Sequence, residues 1–448
     1  MPIIPALIII YILAIGVVFF AFFTAKIAQM KLRSLAWGTL GALFGPLGML
    51  AVCYLPSRRK DGKETNPIRS GIRALPGLSR KIFAVLFVLL ILVFVGVYLS
   101  QAVPKWQENS NYEKSVGSSV TEKLSFVSTV SGEPASIAVG RDTTYLITKE
   151  GELYAWGYND LSLHQQDKGA AASDVSGVAQ LGREVYLLKK DHTLYKIDEE
   201  GKQTQFATDV VKVSCGSNFG CYLKTSGDVY VWGDNAFAQL GSEGADAQKP
   251  LWLCGSAKDI SAGGRHLLIL KKDGAVYGCG SNVSGALGLK DETGNVTIKQ
   301  IATNCSAVAA GNDFSLILTK DGVLKSSGAN DCGQLAREPK EDAAMVFDEV
   351  TTGVDAIGAG GKFGWYIAEE KLYTWGQNHC GQLGTGDTKN AAEPAKVLDK
   401  VTAAAASYDH LAALSNGKLF VCGDNSYGQL GSLGEKHLVP TAVITVKK

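Results

Sequence analysis

Two kinds of hydrophobic pattern meet near residue 105. Before it, apolar residues run almost unbroken through three uncharged windows, at about 2–25, 34–57 and 82–104. A helix needs about 20 apolar residues to cross the hydrocarbon of a bilayer. The stretch IFAVLFVLLILVFVGVYLS (82–100) meets that length without a charge. The first window is equally apolar and lacks the basic start and small-residue cleavage site of a signal peptide, so it too reads as a span. The middle window holds Gly41 and Gly45 in a spacing that lets helices approach closely, and Pro46, which kinks a helix. It reads as a full span or as a re-entrant segment. Residues 1–105 are therefore expected to form an α-helical membrane region of two to three transmembrane helices, followed by a polar tether at 106–123.

Beyond the tether the pattern changes to short alternating runs punctuated by glycine. WGDNAFAQLG (232–241) returns as WGQNHCGQLG (375–384) and CGDNSYGQLG (422–431). Its first glycine marks a period: Gly157, Gly233, Gly280, Gly328, Gly376 and Gly423. The last four intervals are 47, 48, 48 and 47 residues; the first is 76, room for a shorter copy at VYLLKKDHTLYKID (185–198). Each unit reads as a small-residue strand ending at Gly or Ser, a two-residue turn, a buried apolar strand, a Gly turn and a further strand. Seven such units, each a four-stranded antiparallel sheet, predict an all-β propeller over 124–448. The segment VPTAVITV (439–446) is expected to pair into the first blade and close the ring. Asn recurs after the marker in six units, so it reads as a structural residue that bonds its own turn, while the Leu points into the seam between blades.

The motif Trp/Cys-Gly-x-Asn-x-x-Gly-Gln-Leu-Gly resembles the repeat of the regulator of chromosome condensation family, a seven-bladed propeller. Units one and two depart most from it. The resemblance implies a binding use for the turns that follow each Gly or Ser, gathered on one face of the ring. In eukaryotic relatives Asp-containing turns there engage a small GTPase, and a secreted bacterial relative inhibits a β-lactamase through loop contacts. The candidate binding residues are then Asp142, Asn218, Arg265, Asp313, Lys362, Tyr408 and Asp409. Their mixed charge suits a protein partner better than a polyanion.

Charge sets the expected orientation. Residues 1–105 carry 12 Lys/Arg and 2 Asp/Glu, leaving 44 − 12 = 32 basic and 43 − 2 = 41 acidic residues for 106–448. An acidic body argues against nucleic acid. Eight of the basic residues lie in the loop 57–81, and basic loops stay cytoplasmic. The propeller is thus expected outside the cytoplasm, on the cell membrane of a bacterium.

Candidate chemistry is sparse. His266 and His410 stand where other units have Phe219, Phe314 and Phe363, which marks a packing position. His379 adjoins Cys380 with no second ligand pair at zinc spacing, so no metal is expected. GAGGKFG (358–364) lacks the order of a phosphate loop. Of nine cysteines, only Cys215 and Cys221, flanking the turn GSNFG, stand where a hairpin could bring them face to face as a disulfide. No nucleophile–base pair or nucleotide motif emerges. The expected protein is non-catalytic and free of cofactors, binding a protein or cell-envelope polymer, with the lipid bilayer held by its N-terminal helices. The alternative is an exchange-type regulator of a small GTPase, which requires a cytoplasmic propeller.

Overall fold

Each unit of the repeat becomes one blade because its Gly turns reverse the chain twice within about twenty residues. The computed structural model describes residues 129–158, 170–198, 200–292, 294–431, 435–443 and 445–447. The expected membrane spans, the basic loop and the tether lie outside them. Among the described residues every regular element is a strand, and no helix is long and apolar enough to cross a membrane.

Blade 3 illustrates the design: Val210–Cys215, Phe219–Lys224, Val229–Gly233 and Ala247–Cys254 form one antiparallel sheet in that order. Blades 2 (175–207), 4 (257–302), 5 (305–351), 6 (356–398) and 7 (401–442) repeat it. The short copy inferred at 185–198 supplies the second and third strands of blade 2. Among the described residues blade 1 has three strands, Pro134–Val139, Thr143–Thr148 and Leu153–Gly157, and a lone bridge from Ala172 to Leu153.

The first strand of each blade packs against the first strands of its neighbours, and Pro134–Val139 meets Val401–Ala406, so seven inner strands close a ring. Closure differs from expectation. Residues from Val439 onward do not join the first blade: His437–Ala442 pairs with Lys418–Gly423 as the outer strand of blade 7. Only Thr445–Lys447 goes on, to lie parallel to Thr129–Ser131. The reason is local, because the chain leaving each motif loop meets the free edge of its own third strand first, as Ala391–Leu398 does in blade 6.

The core lies in the seams between blades. Phe219, Cys221, Val231 and Leu240 of blade 3 pack on Ile260, Leu267, Ile269 and Cys279 of blade 4. Leu146 and Trp156 of blade 1 pack on Leu414, Val421 and Leu430 of blade 7, which seals the ring. Each buried Leu contributes roughly 1.5–3 kcal/mol. The motif Leu is fully or almost fully buried in every seam where it occurs: Leu240, Leu287, Leu335, Leu383 and Leu430.

Register also decides the cysteines. Cys215 pairs with Gly220, and Cys221 with Ser214. Side chains alternate along a strand, so the two point to opposite faces of blade 3. Cys215 packs toward Tyr186 and Trp232 of one seam, and Cys221 lies in the next. Both are free thiols, and the possible disulfide is not present.

Candidate binding face

The turn between a blade's first and second strands and the motif loop after its third strand emerge at the same end of the ring. In blade 3, Phe219 pairs with Gly233, and the Asp234 amide donates to the Asn218 carbonyl at 2.9 Å. The same bond recurs from Ser281 to Arg265, Ala329 to Asp313, Gln377 to Lys362 and Asp424 to Asp409, at 2.8–2.9 Å. Every turn residue singled out from the sequence therefore sits on one face, framed by the motif loops.

The motif asparagine holds each loop shut. Its Oδ1 accepts the amide of the Leu five residues on, at 2.8–3.0 Å, in Asn235, Asn282, Asn330, Asn378 and Asn425. All five are at most 5 % exposed. A buried, satisfied amide of this kind is scaffold, as its recurrence suggested.

Glycines let the turns approach. At Gly216, Gly263 and Gly360 a Cβ would collide with the carbonyl of Gly263, Gly311 and Ser407 respectively, each on the next blade. The turns are also linked by main chain: Gly264 donates to the Gly311 carbonyl at 3.1 Å, Asn312 to Gly361 at 2.9 Å, and Gly361 to Ser407 at 2.9 Å. The GAGGKFG stretch thus spends its Gly360 and Gly361 amides on the protein itself, Gly360 on Phe363 within its own turn. No free amide nest results there.

Charged residues pair around this frame. Arg265 donates to Asp313 at 2.7 Å and stacks over Phe237 at 5.0 Å. Lys362 bonds Asp331 at 2.6 Å, which raises the lysine above its ordinary value. Burial pushes Asp331 up, yet its bonds from Gln334 and Lys362 hold it below the usual carboxylate range. Near the seam of blades 7 and 1 the balance is acidic. Burial raises Asp142 and Asp409; Arg141 and His379 oppose this, and Asp424 adds to it at both.

Sequence reading missed two contacts. The Tyr408 and Ser217 hydroxyls meet at 2.9 Å between blades 7 and 3, which are not neighbours, so Tyr408 lies across the end of the channel. His379 Nε2 lies 3.3 Å from an Asp409 oxygen of the next blade, with Cys380 beside them. A signal for the second existed: His379 occupies the repeat position of Asp331, and Asp409 that of Lys362. His266 and His410 are buried packing residues as expected, their rings bonded to Ser315 at 2.9 Å and Ser407 at 2.8 Å.

Comparison with known proteins agrees with the geometry. Models of the regulator of chromosome condensation (RCC1) repeat match residues 135–162, 210–239, 257–286, 305–334 and 401–429, and in a second form 273–318 and 369–414. Blade 2, which lacks the motif, lies between matches. The Arabidopsis thaliana ultraviolet-B receptor UVR8 is 29 % identical over 319 residues, 67 % of each chain. The human probable E3 ubiquitin-protein ligase HERC3 is 28 % identical over 235 residues, 50 % of this chain but only 18 % of that protein. The yeast RCC1 protein Prp20, solved bound to Kap60, superposes with a TM-score of 0.51 at 19 % identity, covering 70 % of this chain and 75 % of Prp20. The chain carries regulator of chromosome condensation repeats, folded as a seven-bladed β-propeller.

Proposed function

We propose that this propeller is a non-catalytic binding module, held at a membrane by the N-terminal apolar segments and exposed outside the cytoplasm, whose turn face captures a protein or cell-envelope polymer. The observation that carries the reading is the convergence of Asp142, Asn218, Arg265, Asp313, Lys362, Tyr408 and Asp409 on one end of the ring. Tyr408 is 40 % exposed there, and Val283, in the blade 4 motif loop, is 64 % exposed. A rigid frame bearing both charge signs and exposed apolar side chains suits a protein surface, since complementary charges steer and orient a partner while aromatic contacts supply affinity. The basic loop at 57–81 supports the orientation.

The reading is tested in intact cells with the full-length chain carrying Val283→Cys. A membrane-impermeant maleimide is expected to label the introduced thiol without lysis. Labelling only after lysis would reject the extracytoplasmic placement and favour the GTPase-regulator alternative. Once a partner is cross-linked through that introduced thiol, Tyr408→Ala is expected to weaken capture about tenfold or more, as for a central aromatic contact. Trp252→Ala, on the outer strand of blade 3, is expected to leave capture unchanged.

A further inference from the structure

Two consecutive seams use one pair of positions: the residue after the motif Asn, and the last residue of the following blade's first turn. Between blades 5 and 6 these are Asp331 and Lys362, an ordinary ion pair at 2.6 Å with Cys332 alongside. Between blades 6 and 7 they are His379 and Asp409, with Cys380 in the place of Cys332. The lysine that neutralises one seam is a carboxylate in the next, and the carboxylate is an imidazole. We propose that His379, Cys380 and Asp409 form a binding site for a borderline-soft divalent cation of the zinc type, with a fourth position open to water or to a group on a partner.

Three lines support this. First, the donor set is one nitrogen, one sulfur and one carboxylate oxygen, the mixture zinc takes. Second, the spacing is right. The ligand atoms of all three residues lie within 4.8 Å of one another, and His379 Nε2 is 3.3 Å from Asp409 Oδ1. Zinc bonds of about 2.0–2.3 Å at a tetrahedral centre separate ligands by about 3.3–3.8 Å, so small side-chain rotations complete the set. Third, the two nearby cations are directed elsewhere: Lys436 donates to the His379 main-chain carbonyl at 3.3 Å, and Arg141 approaches Asp142 at 3.9 Å. The ligands come from two blades, so a bound ion would also clamp this seam. The side chains of His379 and Asp409 are 53 % and 42 % exposed, so an ion can enter from solvent.

The test is a cobalt(II) titration of the purified full-length chain. Thiolate ligation gives an intense near-ultraviolet charge-transfer absorption that oxygen and nitrogen ligands do not. One equivalent is expected to produce that band, and zinc is expected to displace it. Cys380→Ser is expected to abolish the band. His379→Ala and Asp409→Asn are expected to weaken binding at least about tenfold, since even loss of an outer-shell partner costs that much. Cys332→Ser, in the lysine-neutralised seam, is expected to change nothing. Absence of the band in the parent chain, or its survival in Cys380→Ser, would overturn the proposal. His379→Ala alters an exposed loop side chain, so it keeps the test decisive if the cysteine variant folds poorly.

Discussion

His266 offers a quantitative check on the seam packing. The ring is 1 % exposed and its Nε2 meets Ser315 Oγ at 2.9 Å. Burial drives its pKa down to about 4 from 6.5; Asp313 opposes the shift and Arg265 adds to it. The folded value is depressed, so the unfolded chain takes up the proton first. Stability from the neutral ring is complete above pH 6.5 and is lost as pH falls toward 4. Each pKa unit corresponds to about 1.4 kcal/mol, so the full window is worth about 3 kcal/mol, of which about 2 falls between pH 7 and 5. Phe fills the equivalent position in blades 3, 5 and 6, as its pairing opposite Gly233, Gly328 and Gly376 shows. The variant His266→Phe with Ser315→Ala therefore keeps the packing and removes the hydroxyl that would lose its partner. Urea unfolding of both proteins at pH 7 and pH 5 is the assay. The parent is expected to lose about 2 kcal/mol more than the variant on acidification. Equal losses would refute the claim that this seam excludes a charged imidazole.

Two further substitutions test the frame. Gly263→Ala places a methyl group on the Gly311 carbonyl of the next blade and is expected to destabilise the ring by about 3 kcal/mol or more, whereas Gly177→Ala, whose nearest neighbour is a Leu188 methyl at 3.5 Å, is expected to stay within about 1 kcal/mol of the parent in thermal unfolding. In blades 3 and 7 the motif glutamine donates to Asp234 and Asp424, the residue just before the motif Asn, but in blade 6 Gln377 stands there and the Gln382 Nε2 has no partner; Gln377→Asp is expected to raise stability by about 1–2 kcal/mol in urea, and a loss would contradict the repeat logic.

The propeller was legible because its recurring residues each answer a requirement that every blade shares. A loop of the motif's length needs an internal clasp, which Asn supplies, and a plug for the seam, which Leu supplies. Where a glycine is missing the backbone keeps its shape: Ala238 and Ala336 hold φ of 59° and 58° at positions where other blades use Gly. The cysteine pair was left open by the sequence for a different reason. Cys215 and Cys221 look adjacent across a turn, but pairing opposite Gly220 and Ser214 sends them to different faces, and a shift of one residue in register would reverse that. The fate of Val439 depended on which sheet edge the chain meets first, which strand composition does not encode.

The His379–Cys380–Asp409 cluster sits between these cases. Scanning along the chain for ligand spacing cannot find it, since Asp409 lies thirty residues from His379 and on another blade. Folding the repeat onto itself does find it, because the seams of blades 5 and 6 and of blades 6 and 7 juxtapose the same two positions. Those positions carry Asp331 with Lys362, then His379 with Asp409, while the Asn clasp and seam Leu are unchanged from blade 5 to blade 6. Frame and seam therefore vary independently. A substitution at a seam position changes charge or ligand chemistry on the turn face without disturbing the bonds that close the loop. Selective chemistry on this ring is expected where adjacent blades differ at those two positions, rather than where the motif itself is altered.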